Sequence, residues 1–197
     1  MRIKTGQAKI ISPGDFRQLL KIVVAGNHGL RNKTILILSH YLGLRASEIA
    51  ALNINDVMNE HGSIKSELSL LAAYTKGNIH RDIPLEHSKV KNALAEWINY
   101  RKCNEISFVT TSPLFKSQKN LRFSANSMVH TINKLYQENG YRGCSSHTGR
   151  RTLITRLAQK GVDLNSIRVI AGHKSITTTQ RYIENDPNRL AEIMRNL

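Results

Sequence analysis

The stretch that decides the fold reads RNKTILILSHYLGLRASEIAAL and covers residues 31–52. Its first half carries apolar residues on most faces, which predicts a mostly buried helix over residues 31–42. Gly43 interrupts the pattern, and glycine commonly ends a helix because it adopts the left-handed conformation without strain. A second, short helix is predicted from Ala46 to Leu52. Two helices joined by a sharp turn indicate a core built mainly from helices.

Helix signals continue on both sides of this stretch. Ser12, Pro13 and Asp15 form a helix start, with a serine cap, a proline at the first position and an acid in the first turn. The other helices each carry an apolar stripe, and several of them end at a glycine. The stripes are Phe16, Leu19, Leu20 and Val23; Val90, Leu94, Trp97 and Ile98; Met128, Ile132, Leu135 and Tyr136; Leu153, Ile154 and Leu157; and Leu164, Ile167 and Ile170.

Residues 64–85 have a different character, because IKSELSLLAAYTKGNIHRDIPL reads as short strands around a turn. Residues 76–78 form the turn signal, and Pro84 suits an edge position in a small sheet. No repeat, low-complexity tract or Pro/Gly/Ser-rich linker divides the chain. We therefore predict an α+β fold that is mostly α-helical, with a small antiparallel β-sheet near its middle, as a single domain over residues 1–197.

Charge is the most informative feature of the composition. Twenty-nine Lys and Arg against fourteen Asp and Glu give a formal net charge of +15 in 197 residues, with a pI near 10.2. A field of this size usually serves a polyanion, so nucleic acid is the partner that we expect. A ribosome-associated or merely basic soluble protein is the alternative. An acidic membrane surface is less favoured, because no basic amphipathic helix stands out.

The sequence carries no signal for export or membrane insertion. No apolar run approaches the roughly 20 residues that a membrane span needs, and MRIKTGQAKIISPGDF lacks the apolar core of a signal peptide. Cys103 and Cys144 are too few and too unpatterned for a disulfide framework or a zinc site, so we interpret them as reduced thiols. We therefore expect a cytoplasmic, nucleoid-associated protein.

Four short patterns carry residues with catalytic potential, and three of them contain a cation next to a helix or turn. GLRASEIAAL places Arg45 at a helix start, and YTKGNIHRDIPL places Lys76 at the tip of a hairpin. SSHTGRRTLITRL contains His147 and Arg150, three residues apart on the same side of one helical turn. Taken singly, each of these residues has an ordinary explanation as a surface charge, a solvated turn residue or a capping histidine.

The fourth pattern, AGHKSITTTQRY, contains His173 and, nine residues later, Tyr182. His173 alone could cap a helix, and Tyr182 alone could be a half-buried aromatic residue. A buried tyrosine should however sit on an apolar stripe, whereas Tyr182 stands among Arg, Gln and hydroxyl residues. The pattern indicates a tyrosine that is presented to a polar partner.

Taken together, two arginines, two histidines, a lysine and a tyrosine suit a reaction at a phosphodiester. Arginine forks bind non-bridging phosphate oxygens and stay charged, so they would stabilise the negative charge of the transition state. A tyrosine hydroxyl can act as a covalent nucleophile, and a lysine or histidine can protonate the leaving oxygen. No acidic cluster has metal-ligand spacing, which disfavours a two-metal nuclease. Glu48, the close acid, is better placed to orient Arg45.

In this order and spacing, the four patterns resemble the catalytic domain of the tyrosine recombinase (phage integrase) family, from about residue 12 to residue 186. The phrases GLRASEI, TKGNIHRDIPL and GHKSITTTQRYI are close to the wording of that family. The resemblance implies double-stranded DNA as the partner. It also implies chemistry without metal, ATP or another cofactor, because the phosphotyrosyl bond stores the energy of the broken linkage.

The resemblance implies a role for each residue. Tyr182 would attack the scissile phosphate and form a 3′-phosphotyrosyl link, releasing a 5′-hydroxyl. Arg45 and Arg150 would grip the phosphate, with Glu48 as a helper acid beside the first arginine. The remaining assignments are Lys76 as the general acid on the hairpin, His147 as an assistant in proton transfer to or from the nucleophile, and His173 as a hydrogen-bonding partner of the phosphate.

The sequence departs from the family pattern at two points. Gly149 stands where an aliphatic residue usually lies within the His-x-x-Arg motif. It lowers helix propensity by roughly 1 kcal/mol against alanine, and we expect looser packing around Arg150. We also expect the amino-terminal core-binding domain, with which the family clamps the other face of the DNA, to be absent, which would make the chain either an excised fragment or a naturally short member. We expect the lack of this domain to weaken DNA binding more than it affects the chemistry.

Pro187 opens a last predicted helix over residues 187–197, whose apolar stripe consists of Leu190, Ile193, Met194 and Leu197. The stripe either packs within its own chain or, by analogy with the family, docks on a neighbouring protomer and supports a tetrameric synapse on DNA. Two other functions stay open, a type IB topoisomerase-like enzyme that relaxes DNA and a catalytically silent DNA-binding relative. A recombinase that uses Tyr182 is the interpretation that the sequence favours.

Overall fold

The structure is a computed structural model that describes residues 8–70 and 80–180, together with Met194. Helices predominate in these residues, and a two-stranded antiparallel sheet lies near the middle of the chain, which confirms the predicted α+β, mostly helical fold. No helix of the described segments has both the length and the apolar character needed to cross a bilayer. The elements are α1 (Pro13–Ala25), α2 (Gly29–Tyr41), α3 (Ala46–Ala51), α4 (Ile54–Val57), β1 (Glu67–Leu70), β2 (Arg81–Pro84), α5 (Ser88–Asn104), α6 (Ala125–Gln137), α7 (Thr148–Gln159), α8 (Leu164–Ala171) and α9 (Ile176–Gln180).

Helix α2 lies at the centre of the fold, where it packs against α1, α5 and α7. Every residue from Thr34 to His40 is buried, as the apolar run predicted. The helix begins at Gly29 rather than at residue 31 and ends at Tyr41 rather than at residue 42. Gly43 follows with a φ of +64°, which is the left-handed turn that the sequence indicated. The turn directs the chain from the central helix into the start of α3.

The strands β1 and β2 pair in antiparallel register, with Leu68 opposite Ile83 and Leu70 opposite Arg81. Buried and exposed residues alternate along β2, so that Arg81 and Ile83 face inward while Asp82 is exposed. Pro84 ends β2 at an edge position, as predicted. Residues 71–79, with the predicted turn at 76–78, lie outside the described residues.

Helix α7 approaches α2 closely at Gly149. A Cβ on this residue would lie 2.5 Å from Oγ of Ser39, 2.8 Å from its carbonyl carbon and 2.9 Å from the backbone nitrogen of His40. Glycine is therefore what allows the backbone of α7 to lie against α2. The expected loosening around Arg150 is wrong, because the missing side chain brings the two helices together.

Helices α7 and α8 share a small hydrophobic cluster of their own, separate from the main core. It consists of Ile154, Ala158, Ile167 and Ala171. The predicted stripes on these helices are only partly correct, because Ile154 and Ile167 are buried while the other predicted members, Leu153, Leu157, Leu164 and Ile170, are half-buried. The helix that carries Arg150 and the helix that precedes His173 thus pack on each other through this cluster, with Leu157 and Val162 against it.

Arg101, near the end of α5, anchors the irregular segment that follows it. Its side chain is 1% exposed and forms an ion pair with Glu105, with 2.6 Å between Nε and Oε1. Its Nη1 donates to the carbonyl oxygens of Pro113 and Leu114, at 2.5 and 3.1 Å. These partners all belong to residues 105–114, so Arg101 supports the fold by joining the segment to α5.

Candidate active site

Arg45 occupies the N-cap position of α3, just after the turn at Gly43. Its Nη1 pairs with Oε1 of Glu48 at 2.7 Å, and its Nη2 donates to the carbonyl oxygen of Gly172 at 3.1 Å. The backbone N–H of Arg45 donates to the other oxygen of Glu48 at 2.8 Å. The Arg45 side chain is 20% exposed. Its guanidinium is therefore fixed in direction and still reachable from solvent.

Glu48 is completely buried and binds a second arginine, Arg81. Nη1 of Arg81 donates to Oε1 of Glu48 at 3.0 Å, and Nη2 donates to Oε2 at 2.8 Å. Burial raises the pKa of Glu48, but the charge of Arg81 and the hydrogen bonds from Arg45 and Arg81 outweigh it and hold the pKa below its usual value. Glu48 is therefore ionised at neutral pH, and two cations share one carboxylate.

Arg81 also belongs to this cluster, although no motif of the sequence singled it out. A signal was present, because Arg81 and Ile83 fall on the same face of β2, and a charged residue at an inward strand position needs a partner. The partner itself could not be identified from the sequence, since Glu48 is 33 positions away on another element.

Arg150 lies in the first turns of α7 and is 3% exposed. Its Nη1 donates to the carbonyl oxygen of Gly43 at 2.8 Å, and its Nη2 donates to the carbonyl oxygen of Ala171. Arg45 binds the next carbonyl along the chain, that of Gly172. The carboxyl end of α8 thus holds both guanidiniums, and the partial negative charge of a helix carboxyl terminus favours cations at this position.

His173 follows directly on the left-handed cap of α8, Gly172, and is 5% exposed. Its Nδ1 lies 2.9 Å from Oγ1 of Thr179, and its backbone N–H donates to the carbonyl oxygen of Arg168 at 3.0 Å. Burial, followed by the charges of Arg150, Arg45 and Arg81, lowers the pKa of His173 to about 4. At neutral pH the imidazole is therefore uncharged and acts through hydrogen bonds.

Of the remaining predicted residues, the structure describes only His147. His147 directly precedes α7 as an exposed residue, and its backbone N–H donates to Oγ of Ser145 at 3.3 Å. Lys76 and Tyr182 lie outside the described residues. In sequence, Lys76 belongs to the segment between β1 and β2, and Tyr182 follows two residues after the last residue of α9. Among the residues that the structure describes, no three His, Cys, Asp or Glu side chains come together as metal ligands would.

The arrangement around the carboxyl end of α8 is suited to an oxyanion. Arg45, Arg81 and Arg150 contribute three positive charges and Glu48 contributes one negative charge, which leaves a surplus of two. Charges in a partly buried site act more strongly than in water, since the surroundings screen them less. A tetrahedral phosphate matches this combination of guanidinium forks and a neutral imidazole.

Comparison with known proteins gives a consistent result. The sequence profile of the phage integrase family matches residues 9–189. The tyrosine recombinase XerC of Pelobacter propionicus is 30% identical over 168 residues, which is 85% of this chain and 52% of that protein. The chain therefore spans about half the length of this curated relative.

Solved structures share the fold. The crystal structure of XerA recombinase has a TM-score of 0.76 at 23% identity, covering 97% of this chain and 65% of that one. The Tn1549 transposon integrase, in complex with transposon right end DNA, has a TM-score of 0.76 at 19% identity, covering 99% of this chain and 68% of that one. At these identities the comparison establishes the fold alone.

Proposed function

The chain belongs to the phage integrase family of tyrosine recombinases, and we propose that it is the catalytic domain of a site-specific DNA recombinase. The observation that carries this proposal is the convergence of Arg45, Arg150 and the neutral His173 on the carboxyl end of α8. A phosphate of double-stranded DNA is the oxyanion that a chain of net charge +15 would meet there. The chain would act on the nucleoid in the cytoplasm.

In the proposed reaction, Oη of Tyr182 attacks the scissile phosphorus and the bond from phosphorus to the 5′ oxygen breaks. His147 assists by taking the phenolic proton, and Lys76 protonates the departing 5′ oxygen. The product is a 3′-phosphotyrosyl link and a free 5′-hydroxyl. The 5′-hydroxyl of another strand then attacks this link and restores the phosphodiester. One phosphate ester replaces another at each step, so the reaction consumes no ATP and uses no metal.

The described residues support this chemistry through their charge and rigidity. Arg45 and Arg150 are each fastened to a backbone carbonyl at the end of α8, so their guanidiniums would bind the non-bridging oxygens without rearranging. His173 would hydrogen-bond the phosphate as a neutral group. Because the pKa of His173 is about 4, the imidazole stays unprotonated at neutral pH and keeps this role.

We also propose that protomers assemble on DNA through the helix predicted over residues 187–197. Its apolar stripe includes Met194, which is 71% exposed. Exposed apolar side chains that recur at helical spacing commonly mark a protein interface. A tetrameric synapse, in which each carboxyl-terminal helix docks on the next protomer, is the assembly that we expect.

Covalent trapping tests the proposed reaction. The chain is incubated with nicked duplexes taken from the DNA that flanks its gene, because a nick lets the cleaved end diffuse away and leaves the protein attached. We expect a protein–DNA adduct that survives denaturation and is lost in Tyr182→Phe. The matched control is Tyr100→Phe, which removes a hydroxyl from the 47%-exposed Tyr100 on α5 and should leave the adduct unchanged.

The outcomes separate the alternatives. DNA binding without an adduct from the wild-type chain would contradict the recombinase and indicate a catalytically silent relative. An adduct that persists in Tyr182→Phe would exclude this tyrosine as the nucleophile. Relaxation of supercoiled DNA without any joining between two duplexes would favour the topoisomerase-like enzyme.

A further inference from the structure

Arg81 is a buried, ion-paired residue beside the candidate site, and the reaction described above gives it no role. It is 5% exposed and places one nitrogen on each oxygen of Glu48. Its side chain also lies against Gly172, where a Cβ would be 3.0 Å from Cδ and 2.9 Å from Cζ of Arg81. Arg81 therefore touches both the acid that orients Arg45 and the residue whose carbonyl binds Arg45.

The charges explain why a second arginine is needed here. Glu48 is completely buried, and a single arginine paired with it would form a neutral unit. Arg45 would then bring no net charge to a phosphate. With Arg81 on both oxygens of Glu48, the three side chains together keep one positive charge, and it lies at the more exposed member, Arg45.

Geometry points in the same direction. Oε1 of Glu48 accepts from the Arg45 guanidinium, and Oε2 accepts from the backbone N–H of Arg45. Both oxygens also accept from the Arg81 guanidinium. Without Arg81, the carboxylate would be free to draw the Arg45 guanidinium onto both of its oxygens. That movement would turn Arg45 away from Gly172 and from the phosphate.

Arg81 also joins the two-stranded sheet to the candidate site. It is the first residue of β2 and pairs with Leu70, the last residue of β1, so it closes the strand ladder where residues 71–79 begin and end. Its side chain ties this end of the sheet to α3 and to the end of α8. One residue thus connects the end of the β1–β2 ladder with the arginine cluster.

We infer that Arg81 is a positioning residue, which compensates the charge of Glu48 and so leaves a net positive charge at Arg45, aimed at the phosphate. This role rests on the proposed function, because it is defined by the reaction at the phosphate. Arg81 itself acts through Glu48 and does not touch the reacting atoms.

A charge-balance experiment tests the inference. The rate of adduct formation on the nicked duplex is measured under single-turnover conditions for Arg81→Met and for Arg81→Met combined with Glu48→Gln. The single variant should cleave slower by a factor on the order of 10–100, while DNA affinity changes little, because the loss concerns charge that develops in the transition state. The double variant restores the net charge of the cluster and should regain most of that rate.

Two further variants separate positioning from folding. Arg81→Lys keeps the charge but not the two-oxygen contact, so its rate should lie between those of the wild type and Arg81→Met. Arg101→Met removes another buried, carboxylate-bound arginine, whose hydrogen-bond partners lie in residues 105–114. It should lower the denaturant midpoint of unfolding but leave the cleavage rate unchanged at temperatures where the protein is folded.

Each result decides for or against the inference. Wild-type cleavage by Arg81→Met, or a double variant as slow as the single one, would overturn it, as would an equal loss of rate in Arg101→Met. If the wild-type chain forms no adduct while it binds DNA, the proposed function itself fails, and the role of Arg81 in it fails too. Normal cleavage by the wild type with normal cleavage by Arg81→Met would leave the proposed function intact and remove only this role.

Discussion

Two buried histidines show how strongly the surroundings of a single residue set its charge. His40 is 1% exposed and stacks on the ring of Phe16, with 3.7 Å between centroids. Burial, with the nearby charges of Arg156, Lys89 and His87, lowers the pKa of His40 to about 3, and His173 in the candidate site reaches about 4. Both residues are neutral at pH 7, His40 as part of the core and His173 as a hydrogen-bonding group.

The depressed pKa of His40 predicts that acid destabilises the fold. An unfolded histidine has a pKa near 6.5, so between pH 7 and pH 3 the unfolded chain binds a proton that folded His40 does not bind, and stability falls as pH falls. By pH 5 this contribution amounts to about 2 kcal/mol. In urea unfolding at pH 7 and pH 5, His40→Gln should lose less stability than the wild type by about that amount.

The matched control is His130→Gln, which removes an exposed histidine on α6 and should keep the wild-type loss between pH 7 and pH 5. If His40→Gln also kept the full wild-type loss, His40 would not be the group that takes up the proton on unfolding.

At the scale of the secondary-structure elements, the contact between α2 and α7 determines the position of Arg150. Helix α2 carries the chain to Gly43, whose carbonyl receives Arg150 from α7. The two helices approach closely because Gly149 has no side chain to place against Ser39. A residue that lowers helix propensity thus improves helix packing, and the distance between the two helices sets where the Arg150 guanidinium lies.

A methyl group at this contact should therefore be harmful. Gly149→Ala gains helix propensity of about 1 kcal/mol, but it inserts a Cβ 2.5–2.9 Å from atoms of α2. We expect a net loss of about 1–3 kcal/mol in the free energy of unfolding, with slower adduct formation because Arg150 moves with α7. Chemical denaturation and the trapping assay measure the two effects.

Gly14→Ala is the matched control, since Gly14 is also helical but a Cβ there would meet nothing closer than 3.7 Å. This variant should be unchanged or more stable, by up to about 1 kcal/mol, with normal cleavage. A Gly149→Ala protein as stable as Gly14→Ala would show that the helices can separate without penalty.

At the scale of the whole molecule, the fold brings arginines from distant segments together. Arg45 and Arg150 come from α3 and α7, and both are fastened to the end of α8. The net charge of +15 over the chain gives a positive field, which would favour the DNA that we propose as the partner. The site is thus assembled by the fold as a whole, and we propose that the functional unit is larger still.

Assembly on DNA should depend on the apolar stripe near the carboxyl terminus. Leu190→Ser combined with Ile193→Ser should reduce the number of protomers that assemble on DNA with two target sites, measured by light scattering, because it removes apolar area from the proposed interface. Asn188→Ser combined with Glu192→Gln alters residues outside the stripe and serves as the control. An unchanged assembly in the stripe variant would contradict exchange of this helix between protomers.

Local interactions let the sequence predict the helical frame and several members of the candidate site. Ser12 caps α1 through Asp15, three residues away, at 3.1 Å, and Gly43 ends the central helix through its own backbone conformation. Such signals act within a few residues, so they can be read without knowing the fold. The patterns around Arg45 and Arg150 likewise singled out two of the residues that the structure brings to the end of α8.

Only the tertiary structure decided which distant groups meet and what each contact means. Arg150 binds the carbonyl of Gly43 across 107 positions, and Glu48 serves Arg81 as well as Arg45 across 33 positions. Gly149 was misread because its local propensity is unfavourable while its close contact with α2 is favourable. Propensity and capping are properties of neighbouring residues, whereas burial, charge sharing and close approach depend on which segments the packed core brings together.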